Sequence, residues 1–203
     1  MAYFTETRDC FDPLLLGKMQ AQILSSPYLA ANNLTGDFVG TRGFSVVFNR
    51  AGMAQLVKDF PAFAPYLETL LDPGCNAFYL NPLILSGGSR VDPHIDRSLR
   101  AYCKTVDTPL QVSVLYVEVP PDLKGGELLL WQGKRQVGRV RPRVNTLVRF
   151  QGDLSHEVTA VAQAVGGRRL SLVCEQYDLE PAALAQIPAY RIEGRRKDYG
   201  PAR

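Results

Sequence analysis

The sequence predicts an α+β fold in which an all-β core of the sandwich or barrel type follows a flank of helices. Apolar residues recur at helical spacing in much of residues 1–75, whereas from Asn76 onward short apolar segments are separated by Gly, Pro and Asp. The 203 residues, 46% of them apolar, suffice for one packed core and leave no room for two ordinary domains. We therefore expect a single domain, 1–203, divided into a helical and mixed flank (1–75), a β core (76–180) and a basic carboxyl-terminal tail (190–203).

Three stretches of the flank have the period of an amphipathic helix. Residues 12–24 begin with a capping-type Asp followed by Pro and continue with apolar residues at helical spacing. Residues 51–60 and 64–71 return to the same period. Residues 38–49, in contrast, are rich in β-branched and aromatic side chains and predict extended structure. The flank is therefore mixed, with helices dominating.

The β core is predicted from short segments rich in aliphatic, β-branched and aromatic residues, each bounded by turn-forming residues. This arrangement is typical of a sandwich or barrel. A polar connection at 97–109 is longer than most connections in compact domains, and we expect it to act as a lid. The predicted strands are residues 78–85, 110–119, 127–131, 136–140, 144–150, 156–161 and 169–177.

Composition and charge argue against several classes of protein. A net charge of +3, without aromatic and basic residues interleaved along a strand, does not indicate a nucleic-acid partner. No apolar run reaches the length needed to cross a bilayer and the amino terminus lacks a secretory pattern, so we expect a cytoplasmic protein with no membrane partner. Nothing in the composition indicates an oligomeric state. The cysteines lack Cys-x-x-Cys spacing and are expected to be reduced thiols: Cys10, Cys75, Cys103 and Cys174.

The two histidines of the chain are its candidate metal ligands. His94 lies two residues before Asp96, and on a β-strand that spacing would place both side chains on one face. His156 follows 62 residues after His94, beyond several predicted strands. Two imidazole nitrogens and one carboxylate oxygen suit Fe(II) with open coordination positions. His94, Asp96 and His156 are therefore the candidate catalytic and metal-binding residues.

Four segments carry a resemblance to one known family. Ser86-Gly-Gly-Ser-Arg-Val-Asp-Pro-His94-Ile-Asp96 resembles the glycine-containing turn and Pro-His-x-Asp motif of the prolyl 4-hydroxylase branch of the iron(II)- and 2-oxoglutarate-dependent oxygenases. Residues 112–128 resemble that family's strand, acidic turn and Gly-Gly-Glu strand start. Residues 145–150 precede His156 as family strands precede the distal histidine. Gly167-Arg-Arg-Leu-Ser171 resembles the Arg-x-Ser pair that holds the far carboxylate of 2-oxoglutarate in many relatives.

The resemblance implies a fold and a chemistry. The fold would be a double-stranded β-helix, a jelly-roll or cupin-like barrel, with the amino-terminal helices packed outside. The enzyme would use Fe(II), 2-oxoglutarate and O₂, with ascorbate as an accompanying reductant. It would hydroxylate a C–H bond of a prolyl residue in a peptide or protein and release succinate and CO₂. A free amino acid or another small molecule stays open as the substrate. Asp96 argues against a halogenase, because relatives that install chloride lack the carboxylate ligand.

The far carboxylate of 2-oxoglutarate needs a cation, and strand parity chooses between two arginines. Alternation places Arg169, Ser171 and Val173 on one face of the last predicted strand and Arg168 on the other. We therefore favour Arg169, with Arg168 as the alternative if a bulge follows the preceding glycines. Tyr116 resembles a tyrosine that helps hold the same carboxylate in prolyl hydroxylases of oxygen-sensing factors. Arg169, Ser171 and Tyr116 are the candidate cosubstrate-binding residues.

The chain departs from the family pattern in two places. Leu85 stands where many prolyl hydroxylases carry a tyrosine before the glycine turn, so that contact falls to Tyr79 or Asn81 or is absent. The gap of 13 residues from His156 to Arg169 is a few residues longer than usual. These departures bear on the cosubstrate more than on the metal.

Two other classes stay open at this point. A cupin-type metalloprotein that does not use 2-oxoglutarate would keep the histidines and the barrel but would have no use for Arg169 and Ser171. A non-catalytic scaffold on the same fold usually loses a metal ligand, whereas this chain keeps all three. The oxygenase accounts for more of the residues than either alternative.

Overall fold

The computed structural model describes residues 2–31, 36–164 and 167–194. The strands are β1 (Phe4–Arg8), β2 (Ala30–Ala31), β3 (Phe38–Val39), β4 (Arg42–Gly43), β5 (Ser45–Asn49), β6 (Ala77–Leu85), β7 (Arg90–His94), β8 (Gln111–Glu118), β9 (Leu128–Gln132), β10 (Arg135–Val140), β11 (Thr146–Gln151), β12 (Ser155–Val158), β13 (Arg169–Tyr177) and β14 (Tyr190–Glu193). The α-helices are α1 (Pro13–Leu24), α2 (Met53–Asp59), α3 (Ala64–Leu70) and α4 (Pro181–Leu184).

The described strands form two antiparallel sheets. The larger has nine strands, with β1-β11-β8-β13-β6-β4-β2 in order and with β5 pairing both β6 and β14. The smaller has five strands in the order β10-β9-β12-β7-β3. From β6 to β13 the chain alternates between the sheets, except that β9 and β10 are successive strands of the smaller sheet, as in a double-stranded β-helix. The expected all-β core with flanking helices is confirmed.

Strand β13 shows how the larger sheet separates two cores. Its residues Leu170, Leu172 and Cys174 are completely buried beneath the helices, in a cluster that includes Met19 and Ile23 of α1. The opposite side of β13 faces the smaller sheet. Because alternate residues of a strand point to opposite faces, one strand contributes to both cores. The site described below lies between the sheets.

Helices α1, α2 and α3 lie where the sequence predicts them, whereas the short helix α4 was not predicted. Helix α1 begins after Asp12, whose Oδ1 accepts a hydrogen bond from the Leu14 amide at 2.7 Å, and Pro13 occupies the first turn. Helices α2 and α3 cover the two later stretches of helical period and bury Leu56 and Leu67. In the described part of the chain, no helix is long and apolar enough to span a membrane.

The ends of the chain differ from the expectation. Strand β1 pairs with β11, and the sequence analysis did not predict it. The predicted basic tail is wrong at its start, because Tyr190–Glu193 forms β14 and pairs with β5. The physical reason is that Tyr190 and Ile192 are partly buried and pack against the helical core. Residues 195–203 lie outside the described residues.

Two internal segments also differ. Residues 38–49, expected to be extended, form the three separate strands β3, β4 and β5. The connection at 97–109 contains a 3-10 helix at Ser98–Ala101, and its Leu99, Cys103 and Val106 are buried. Apolar side chains therefore anchor a segment whose overall composition is polar. Its opening as a lid stays a prediction.

Candidate active site

Strands β7 and β12 bring the two histidines together. The strands are antiparallel neighbours in the smaller sheet, and His156 lies directly opposite His94. Their ring centres are 4.3 Å apart. Sixty-two residues of sequence separate them, so the strand register, and not their spacing along the chain, makes them adjacent.

Asp96 completes the group from outside the strand. Strand β7 ends at His94, so the expectation that Asp96 shares a strand face with His94 is wrong in detail. The chain turns after His94 and still directs the carboxylate between the two rings. Asp96 Oδ1 lies 3.3 Å from His94 Nε2, and Asp96 Oδ2 lies 3.4 Å from His156 Nε2. One ligand atom from each of the three residues lies within 4.8 Å of the others, close enough to hold one metal ion.

Backbone contacts select the ring nitrogen that each histidine presents. His94 Nδ1 lies 2.9 Å from the Asp92 carbonyl oxygen, and His156 Nδ1 lies 3.3 Å from the Leu154 carbonyl oxygen. A carbonyl can only accept, so both Nδ1 atoms carry the proton and both Nε2 lone pairs face Asp96. Asp96 Oδ2 is buried and has no hydrogen bond in the described structure. The donor set of two nitrogens and one carboxylate therefore fits Fe(II).

Charge and burial hold Asp96 and His156, but not His94, in the protonation states that a metal requires. Burial opposes the charge of Asp96, but the neighbouring His156 and His94 outweigh it and keep the pKa of Asp96 below its ordinary value. Burial lowers the pKa of His156 and so favours the neutral ring. Burial also disfavours the charged form of His94, but Asp96 reverses the effect and raises its pKa. A metal would displace that proton.

A cavity of about 380 Å³ opens beside the three residues, between the two sheets. It extends along β13, whose Arg169, Ser171, Val173 and Glu175 all line it. Many of the remaining lining residues are aliphatic or aromatic, so much of the cavity surface is apolar. The apolar walls include Leu83, Val112, Val114, Leu128, Phe150 and Val158.

Arg169 and Arg168 have opposite environments, as strand parity predicts. Arg169 is 1% exposed and lines the cavity, where its Nη1 donates to Ser171 Oγ at 3.4 Å. Its Nε has no hydrogen-bond acceptor within the described residues. Arg168 has a side chain that is 41% exposed and donates from Nε to Glu118 Oε2 at 3.0 Å. An inward guanidinium with free donors can bind a carboxylate, whereas Arg168 already has one on the outer face.

Tyr116 lies beneath the inward arginine. It pairs with Ser171 across β8 and β13, and the guanidinium carbon of Arg169 lies 4.9 Å from its ring centre. Burial raises the pKa of Tyr116, so the phenol stays neutral and available as a donor. The register between the strands shifts here, because Leu170 pairs with Glu118 and Ser171 with Tyr116. A bulge therefore lies in β8, whereas β13 keeps its alternation from Arg169 onward.

Three cavity residues had an open role or none in the sequence analysis. Asn81 and Tyr79 on β6, named as replacements for the missing tyrosine, both line the cavity. Tyr79 Oη is 2.6 Å from Ser45 Oγ, whereas Asn81 Oδ1 is buried without a partner in the described structure. Glu175 was missed, although its parity with Arg169 and Ser171 on β13 could have identified it.

Glu175 is a buried acid close to the three candidate ligands. Ser98 donates to it from its amide at 3.3 Å and from its hydroxyl at 2.6 Å, and the Tyr177 hydroxyl also donates to it. Burial and then the charge of Asp96 raise the pKa of Glu175 to about 8. A carboxyl group is thus fixed in orientation at the same end of the cavity as Asp96.

The comparisons with known proteins agree with this geometry. The profile of the 2OG-Fe(II) oxygenase superfamily matches residues 79–174. No curated protein sequence matches the chain. Among solved structures, a prolyl-4-hydroxylase from Pseudomonas putida shares 18% identity at a TM-score of 0.59, covering 89% of this chain and 95% of that one.

Two further solved structures share the fold. A prolyl hydroxylase from Trichoplax adhaerens, in complex with a peptide fragment of a hypoxia inducible factor oxygen degradation domain, shares 14% identity at a TM-score of 0.60 and covers 91% of this chain and 87% of its own. A 2OG-Fe(II) oxygenase family oxidoreductase from Burkholderia pseudomallei shares 16% identity at a TM-score of 0.57, with coverages of 88% and 86%. At these identities the likeness shows the fold.

The matched segment contains the three candidate metal ligands and also Arg169 and Ser171, the candidate cosubstrate-binding residues of β13. Fe(II), 2-oxoglutarate and O₂ follow from that match as the cofactor and cosubstrates. Residues 79–174 match the 2OG-Fe(II) oxygenase superfamily, which indicates an Fe(II)- and 2-oxoglutarate-dependent oxygenase, and the chain shares its fold with solved prolyl hydroxylases.

Proposed function

We propose that this protein hydroxylates a C–H bond of a prolyl residue in a peptide or protein, consuming 2-oxoglutarate and O₂ and releasing succinate and CO₂. The observation that carries the oxygenase chemistry is the alignment of the three candidate ligands with Arg169 in one cavity. His94 and His156 direct their Nε2 atoms toward Asp96, and the same cavity reaches the buried guanidinium. A metal and a dicarboxylate can thus be bound side by side.

The roles of the metal residues follow from their geometry. His94, Asp96 and His156 would hold Fe(II). The protonated Nδ1 atoms of the two histidines would donate to the Asp92 and Leu154 carbonyls and so keep the rings oriented. Bound Fe(II) and 2-oxoglutarate supply the oxidising chemistry. The protein binds and orients the reactants around that centre.

The inner end of the cavity would bind the cosubstrate. Arg169 offers guanidinium donors and Ser171 a hydroxyl on the same face of β13, which suits the far carboxylate of 2-oxoglutarate. The Tyr116 ring would position the guanidinium through a cation–π contact. A cupin-type metalloprotein without 2-oxoglutarate would leave this buried cation without an anion.

Apolar walls would protect the reaction from water. Val112, Val114 and Phe150 line the cavity from the larger sheet, and Leu128 and Val158 line it from the smaller sheet. A dry site strengthens the electrostatic contacts inside it and limits competing reactions of the oxidant. The target carbon would be docked against these walls next to the metal.

The prolyl substrate is supported by the solved structures of the same fold, two of which are prolyl hydroxylases and one of which holds a peptide fragment. Hydroxylation of a free amino acid or small metabolite is the second candidate. The observation that favours it is the buried acid Glu175 in the cavity wall, because a peptide proline carries no positive charge for it to pair with.

The first test is binding of the cosubstrate to the metal. Anaerobic titration of the protein with Fe(II) and 2-oxoglutarate should produce the weak visible charge-transfer band of the chelated metal, and air should then yield succinate. A cupin-type protein would bind the metal and show neither signal. A proline-containing peptide should raise succinate release and gain the mass of one oxygen, and failure of every prolyl peptide to do so would exclude the prolyl assignment.

A further inference from the structure

We propose that the substrate presents a protonated amine to Glu175 and Asn81, next to the candidate metal residues. The inference rests on the oxygenase function proposed above and specifies its substrate class. The amine can belong to a free amino acid or to a peptide terminus or side chain, because the same acceptors would bind each of them. A prolyl nitrogen inside a peptide chain would not meet this requirement.

The two acceptors are neighbours on the wall of the larger sheet. Glu175 pairs with Tyr79 across β13 and β6, and Asn81 is the next residue of β6 on the same face. Diagonal neighbours of this kind have Cβ atoms about 7 Å apart. An ammonium group between them could therefore donate to both.

Asn81 supplies an observation that is independent of the acid. It is 5% exposed and lines the cavity, and its amide nitrogen reaches Ser45 Oγ at 3.5 Å. Its Oδ1 is buried and accepts no hydrogen bond from any described residue. A buried acceptor without a donor is costly, so its ligand should bring an N–H or O–H group. The carboxylates of 2-oxoglutarate cannot satisfy it, because they are acceptors themselves.

Glu175 adds the charge preference. Its three donors are the amide and hydroxyl of Ser98 and the hydroxyl of Tyr177, all of them neutral. No lysine or arginine in the described part of the chain forms a salt bridge with it. The carboxyl group is therefore oriented but lacks a counter-ion. A substrate ammonium would supply the missing charge.

The charges around the cavity also favour a cation at this end. Asp37 and Glu193 line it in addition to Glu175, and Arg97 lines it as well. The Arg97 side chain is 43% exposed, and its Nη2 already pairs with Asp107 Oδ1 at 3.6 Å. Arg169 lies six residues away from Glu175 along β13, or about 20 Å of strand. The cationic end would take the cosubstrate, and the acidic end the amine.

The test on the unaltered protein uses matched pairs of probes. Succinate release is measured with Fe(II), 2-oxoglutarate and each free L-amino acid, and again with its N-acetyl derivative. A second set contains a prolyl peptide with a free amino-terminal proline, the same peptide acetylated, and a peptide carrying lysine beside an internal proline. We expect stimulation by members with an amine and a loss of at least 10-fold on acetylation. The set that responds distinguishes a free amino acid from a peptide.

A variant assigns the effect to Glu175. Glu175→Gln keeps the size of the side chain but cannot form the carboxylate that a bound ammonium would pair with, so KM for the best amine should rise on the order of 10- to 100-fold. KM for its N-acetyl partner should not rise. Glu68→Gln, an exposed acid on α3, is the matched control and should behave as wild type. Melting temperatures of both variants show whether they are folded. If Glu175→Gln does not fold, the amine and N-acetyl probes on the unaltered protein still test the inference.

The results that would refute the amine inference differ from the result that would refute the oxygenase function. Equal stimulation by the amine and its acetylated partner would overturn the inference, as would a panel in which no amine stimulates turnover while basal succinate release continues. An unchanged KM in folded Glu175→Gln would remove Glu175 from the amine site. Absence of succinate under every condition, in contrast, would refute the oxygenase function.

Discussion

The guanidinium carbon of Arg169 lies 4.9 Å from the ring centre of Tyr116, inside the barrel and out of contact with bulk water. The preceding residue, Arg168, lies just before the strand, is directed to the outer face and donates to Glu118. Two adjacent residues of the same type thus differ in burial, partner and available donors. The difference makes the assignment of the cosubstrate anchor testable by a pair of matched variants.

Arg169→Ala should weaken 2-oxoglutarate binding by about 1.5–3 kcal/mol, or on the order of 10- to 150-fold, because it removes a charge-assisted contact. Arg168→Ala is the control and should change the affinity for 2-oxoglutarate little. Arg169→Lys should have an intermediate effect, since lysine keeps the charge and loses the planar fork. The 2-oxoglutarate dependence of succinate release measures all three. A large loss in Arg168→Ala with none in Arg169→Ala would move the anchor to Arg168.

Alanine at His94, Asp96 or His156 should abolish stoichiometric Fe(II) binding and succinate release, because each removes one of three ligands that no other described residue replaces. Iron content after gel filtration and succinate release measure the two effects. Asp153→Asn is the control, since this exposed acid lies three residues before His156 and outside the group. Stoichiometric iron and parental turnover in His156→Ala would show that the metal assignment is wrong.

Glu175 should make the metal-free protein less stable as the pH rises. Its ordinary pKa of 4.5 is raised to about 8 by burial and by Asp96, so between these values the folded state holds a proton that the unfolded chain has released. Unfolding free energy then falls with rising pH, at most by about 1.4 kcal/mol per pH unit from this group. Urea midpoints across this window should show a flatter slope in Glu175→Gln than in wild type.

The control for this titration is Glu68→Gln, whose exposed side chain should leave the slope unchanged. A Glu175→Gln protein with the wild-type slope would mean that Glu175 is ionised throughout the window. Both measurements use chelator-treated protein, because a bound cation would compensate the charge of Asp96.

Strand β14 should contribute to stability. A chain ending at Ala189 loses the pairing of β14 with β5 and the hydrogen bond from Tyr190 Oη to Asp59 Oδ2 at 2.8 Å. Compared with a chain ending at Gly194, it should be less stable by roughly 2–4 kcal/mol, because it also loses the apolar packing of Ile192. Equal urea midpoints for the two chains would refute a structural role for this strand.

Much of the fold and part of the site could be predicted from local patterns. The helix after Asp12, the strand limits of β13 and the inward face of Arg169 and Ser171 depend on periods of 3.6 and 2 and on a capping residue. Each of these is a property of a few consecutive residues. Strand β14 was not predicted, because its only two apolar residues, Tyr190 and Ile192, lie in a basic stretch.

The sequence by itself determined the ligand types, the main strands of the core and the face on which Arg169 lies, because residue identity and alternation are local. Only the tertiary structure decided that His94 and His156 are opposite each other and that Asp96 reaches them from beyond the strand. It also decided that Glu175 shares their cavity. These relationships depend on register between strands far apart in the chain, which is set by packing of the whole barrel and not by any one segment.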